Sequence, residues 1–74
     1  MGARLPSCTA RDVERVLLQI GFALDRQRGS HKVFAHADGR TIVVPAHSRD
    51  LKRGTLLGIV KATGLRPDEF AEKL

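Results

Sequence analysis

Two glycine-bearing breaks restrict the fold more than any other feature. Gly29-Ser30 and Ala37-Asp38-Gly39 cut the chain between Gly21 and Pro45 into three short runs, FALDRQR, HKVFAH and RTIVV. The first run alternates, with Phe22 and Leu24 on one side and Ala23 and Asp25 on the other. The other two are rich in β-branched and aromatic residues. Short runs of this kind joined by tight turns predict three antiparallel strands. Pro45 ends the third strand, because it has no N–H to give to a ladder.

The second break decides which way His31 points. A two-residue Asp38-Gly39 loop would pair Ala37 with Arg40. A three-residue loop with Gly39 in the left-handed region would pair His36 with Arg40. In the second register Phe34 faces Ile42, with Val44 on the same side, and this gathers the bulkiest apolar set on one face. We therefore expect the three-residue loop. His31 then shares the opposite face with Val33 and Ala35. A shift of one residue would reverse the assignment.

Helices are expected on either side of the strands. In TARDVERVLLQIG, Thr9 and Asp12 have the spacing of a capping box. Val13, Val16, Leu17 and Ile20 form one apolar stripe, and Gly21 stops the helix. After the polar connection AHSRDLKRG, the segment TLLGIVKATG reads as a second helix with Leu56, Ile59 and Val60 buried and Gly64 as its stop. RPDEFAEKL begins a short third helix with Pro67 at its first position, and Phe70 docks it on the core. The fold class is therefore α+β: a helix, a three-stranded antiparallel sheet, a helix and a short C-terminal helix. The helices should cover one sheet face and leave the other partly open.

At 74 residues the chain is expected to be one small domain, 1–74, and its 42% hydrophobic content suits a compact core and not a disordered tail. With no Trp or Tyr and only three Phe, aliphatic side chains must fill most of that core. The single Cys8 forms no internal disulfide, and neither a membrane-length apolar run nor a signal-peptide pattern is present, so a cytoplasmic location is expected. Thirteen Lys and Arg against eight Asp and Glu give a net charge of +5. Such a balance favours a polyanion such as nucleic acid, or an acidic protein, as partner.

The candidate chemistry lies in RQRGSHK, 26–32. Imidazole takes or gives a proton near neutral pH. Breaking an RNA backbone requires a base for the 2′-hydroxyl and cations for the phosphate. His31 flanked by Arg26, Arg28 and Lys32 offers both without metal; the ordinary alternative is a solvated histidine among solvated cations. Gly29 and Ser30 serve the turn, and Ser30 is a poor partner for the next residue's imidazole because strand neighbours point apart. His47 lies in the loop after Pro45, where it either acts on substrate or braces the turn. His36, beside the second hairpin turn, is expected to be solvated. Arg49, Lys52, Arg53 and Lys61 could add phosphate contacts. The histidines lack the spacing of metal ligands, so no metal or cofactor is expected.

These residues also carry a resemblance. IGF at 20–22, RQRGSH at 26–31, HADGRTIVVPAH at 36–47, LKRGTL at 51–56 and EF at 69–70 are similar, in order, to segments of the HicA (YcfA-like) mRNA interferase toxins of type II toxin–antitoxin systems. The family often has proline where Ala37 stands. Proline there suits a type I turn followed by a left-handed glycine, in line with the preferred register. The resemblance implies a double-stranded-RNA-binding-domain-like fold and a ribosome-independent endoribonuclease that cuts mRNA and halts translation. It further implies a HicB-type antitoxin that covers the site. The family's catalytic histidine corresponds to His31, and Gly29 and Ser30 match the loop before it. Arg26, Arg28, Gly29, Ser30, Lys32 and His47 are then the expected RNA contacts, with His47 a candidate second acid or base. The competing expectations are a non-catalytic RNA-binding module of the same fold and a module that recognises only an acidic protein. Oligomeric state is left open.

Overall fold

The computed structural model describes residues 5–47 and 49–74. Its elements run α1 (Ala10–Gln19), β1 (Phe22–Arg28), β2 (His31–His36), β3 (Thr41–Pro45), α2 (Arg53–Thr63) and α3 (Pro67–Glu72). This is the expected α+β order. The strands form one antiparallel sheet, β1-β2-β3.

Thr9 and Asp12 start α1 with a reciprocal cap. The Asp12 N–H donates to Thr9 Oγ1 at 3.1 Å, and the Thr9 N–H donates to the Asp12 carboxylate at 3.0 Å. Two of the helix's otherwise orphaned donors are thereby satisfied. Val13, Val16 and Leu17 are buried as the stripe predicts, while Ile20 is only partly buried.

The β2–β3 connection is the three-residue loop. The His36 N–H donates to Arg40 O and the Gly39 N–H to His36 O, both at 2.9 Å, with Gly39 at φ 96°. Phe34 pairs with Ile42 and His31 with Pro45. Phe22, Phe34, Ile42 and Val44 therefore line the face that the helices cover, joined there by Leu56, Ile59, Val60 and Phe70.

The second helix begins at Arg53, two residues before the expected Thr55. Gly54, a weak helix former, reads as loop in sequence, but Arg53 is held in place as its guanidinium donates to Leu5 O at 2.5 Å. Leu51, within a segment expected to be polar, is buried, and its N–H donates to Cys8 O at 2.9 Å. Gly64 ends α2 at φ 80°.

Arg40 fastens the hairpin to that end of α2. Its guanidinium donates to Thr63 O at 2.7 Å and to the Asp38 carboxylate at 2.8 Å. It also lies 5.2 Å from the centre of the Phe22 ring. A cation at a helix C-terminus complements the helix dipole. The same corner corrects the expectation for His36. Its ring is half-buried, edge-on to Phe22 at 5.0 Å, and so close to Gly21 that a β-carbon there would meet Nε2 at 2.9 Å. Sequence spacing gave no sign of it, because the contact depends on how the end of α1 meets the hairpin.

Candidate functional site

The Gly29-Ser30 turn fixes the position of His31. Gly29 takes φ 57° and Ser30 a negative φ, the pattern of a type II′ two-residue hairpin loop. Arg28 and His31 become direct cross-strand partners, and Pro45 lies opposite His31 on β3. Directly paired residues leave a sheet on the same side. His31 is exposed on the face the helices do not cover, as the register predicts.

The arginines reach that face through a bulge. Leu24 pairs with Phe34, but the next pair is Arg26 with Val33, so Asp25 is an extra residue in β1. Up to Leu24, the even-numbered residues of β1 face the helices. Unbroken alternation would send Arg26 and Arg28 the same way. The bulge reverses the phase, so both emerge beside His31 and Val33, and bulges commonly re-aim side chains in this manner. Asp25 also lies 2.8 Å from the Arg26 guanidinium, with both groups exposed.

Lys32 goes the other way. It adjoins His31 in sequence and therefore points to the opposite face, where Nζ lies 3.3 Å from the Glu14 carboxylate of α1 and the side chain is 26% exposed. The rule that separates Ser30 from His31 separates Lys32 as well.

The chain after β3 stays beside the first turn, with the Ala46 N–H donating to Ser30 O at 2.6 Å. That contact brings the exposed His47 to the same end of the sheet. Arg49 and Lys52 are exposed in the connection that follows. Lys61 is exposed near the Thr63 end of α2, where Arg40 anchors the opposite end of the hairpin. The structure thus gathers Arg26, Arg28, Gly29, Ser30, His31 and His47 and sets Lys32 and Lys61 apart. Arg53 is engaged at Leu5.

Chemically, one face now presents an exposed imidazole with two guanidinium groups in phase. Imidazole relays protons, and guanidinium binds phosphate oxygens in a planar fork. Among the described residues, no group of three His, Cys, Asp or Glu stands where it could hold a metal, and no helix is long and apolar enough to cross a membrane.

The bulge at Asp25, which reconciles a buried Phe22 with outward-facing Arg26 and Arg28, is the feature that sequence reasoning missed. No glycine marks the bulge. The available signal was the change from apolar to polar at even-numbered positions, from Phe22 and Leu24 to Arg26 and Arg28.

Residues 10–65, which contain all three strands and α2, match a protein family described as the HicA toxin of bacterial toxin–antitoxin systems. No curated protein matches the chain.

Proposed function

The chain belongs to the HicA toxin family, and on that premise we propose that it is a metal-independent mRNA endoribonuclease that uses His31 for proton transfer. The observation that supports this reading most directly is the placement of an exposed His31 across from Arg28 on the open sheet face.

In the proposed reaction the ribose 2′-oxygen bonds to the adjacent phosphorus and loses its proton, while the bond from phosphorus to the 5′-oxygen breaks and that oxygen gains a proton. His31 serves one of these two proton transfers. Arg26 and Arg28 hold the phosphate and offset charge that develops on its oxygens. His47, at the same end of the sheet, is the candidate for the other transfer. Toxin family membership implies an antitoxin partner. We assign that role to a HicB-type protein that covers this basic face, and mRNA is the substrate.

The test is incubation of the purified protein with RNA in EDTA beside His31→Ala. The expected result is cleavage by the parent protein and none by the variant, with RNA retention and melting temperature unchanged. Cleavage by both proteins would sink the role of His31. Retention of RNA with cleavage by neither would identify a silent RNA-binding module.

A further inference from the structure

Resting on the nuclease reading, we propose that the open sheet face takes a single unpaired RNA strand whose backbone follows β1. Consecutive phosphates lie on Arg28 and Arg26, and the bases lie over Val43. Three observations carry this.

The first is phase. Beyond the bulge, Arg26 and Arg28 project from one strand on one side, opposite Val33 and His31. Two residues of strand span about 6.6 Å, close to the step between neighbouring phosphates of a single strand. The phosphate on Arg28 is the one beside His31.

The second is the surface next to the arginines. Val33 and Val43 are cross-strand partners on this face; Val33 is buried among its neighbours, and Val43, 49% exposed, is the apolar surface on offer. An A-form duplex hides its base faces and presents phosphates and 2′-hydroxyls. It would lay polar backbone on that valine, whereas an unpaired strand brings apolar base faces to it. All three phenylalanines are buried in the core, so the contact is aliphatic and tolerant of sequence. In-line attack by a 2′-oxygen also requires a backbone free to leave A-form geometry.

The third is charge. On the helix-covered face Lys32 is paired with Glu14. On the open face the acidic neighbour is Asp25, whose pair with Arg26 is exposed on both sides. Pairs of that kind hold weakly, and a phosphodiester can replace the carboxylate.

The test uses binding alone, with a 2′-O-methyl single-stranded oligonucleotide that cannot be cleaved and with the same sequence as a duplex, each titrated over a salt series. Deleting Asp25 removes the bulge and leaves Arg26 opposite Val33. Deleting Gln27 also removes the bulge, at equal chain length, but sets Arg26 opposite Lys32 on the helix-covered face. The parent protein and the Asp25 deletion should prefer the single strand and share one salt slope. The Gln27 deletion should lose about 0.7 from that slope, which is about fivefold weaker binding at 0.1 M salt. Adding Asp25→Arg and Arg26→Asp to the Gln27 deletion returns an arginine opposite Val33 and should restore the slope. Arg26→Ala in the full chain should lose the same amount, which keeps the test decisive if the Gln27 deletion does not fold. An unchanged slope in Arg26→Ala, or equal binding of strand and duplex, would overturn the proposal. Because no bond is cut, an inactive protein that passes this test refutes the nuclease reading alone; an active protein that fails it refutes only the strand track.

Discussion

Arg28 and His31 are direct partners across the first hairpin, so guanidinium and imidazole leave the sheet together, while Lys32, next to His31 in sequence, is turned toward Glu14. Sequence proximity and spatial proximity thus rank these cations in opposite orders.

Arg28→Ala should therefore lower kcat/KM for RNA cleavage. A hydrogen bond to a charged group contributes about 1.5–3 kcal/mol, which corresponds to about ten- to hundredfold in rate. Lys32→Ala should change cleavage by less than about twofold and cost about 0.5 to 1 kcal/mol of stability through the loss of its partner Glu14. Parallel kinetics and denaturant melts of the two variants check this, and equal kinetic losses would contradict it.

Thr9→Ala removes the hydroxyl that caps α1. Loss of such a cap costs about 1 kcal/mol, which in a domain of this size lowers the melting temperature by about 4–8 °C. Cleavage at 25 °C should be unaffected, since Thr9 caps the start of α1 and is not part of the face that carries His31. Thermal melts followed by circular dichroism provide the measurement.

Phe70 joins the short α3 to the core and is 0% exposed. Phe70→Ala should cost about 3–5 kcal/mol, a large part of the total stability of a chain this small. The expected result is a broad, low-temperature melt, with cleavage lost at 37 °C and partly recovered at 10 °C. A melt like the parent's would show that α3 adds little to the core.

Acid should destabilise the fold through two carboxylates. The Thr9 N–H holds Asp12 below the usual carboxylate range, with further help from the Thr9 hydroxyl and Arg15 and against a smaller effect of burial. The Arg40 N–H does the same for Asp38, helped by the Arg40 guanidinium. Both groups bind protons more readily when unfolded, so stability rises with pH where the unfolded chain is still protonated. Their contribution is complete above the unfolded value of about 4 and is lost as pH falls through the folded values. Urea midpoints should be flat from pH 7 to about 5 and fall below about 4. Asp12→Asn should flatten that fall, and an unchanged profile in the variant would exclude the Asp12 contribution.

Much of the architecture was legible because local rules agreed with one another. The Thr9–Asp12 cap, the stripe of α1, the left-handed Gly39 and the docking of Phe70 each follow from a few neighbouring residues. The face of His31 was legible too, once Phe34, Ile42 and Val44 were required to share a side. The bulge arises from two rules in conflict. Counted from the Arg28–His31 pair, a regular ladder would set Ala23 opposite His36 and turn Phe22 away from the core. Burial of Phe22 demands the other phase, and the one-residue mismatch is absorbed at Asp25. The half-buried place of His36 was illegible for a different reason, since it rests on the meeting of Gly21, Phe22 and the hairpin end.

Arg40 reaches the carbonyl of Thr63, a residue made long after the hairpin it holds. As the chain is synthesised, α1 and the three strands emerge before α2 exists. During that interval the guanidinium has Asp38 and Phe22 for company, and the apolar side of the sheet has only α1 to lie against. The clasp closes on a helix made after the hairpin, so a nascent chain on the ribosome carries an unfinished sheet until α2 is free to dock.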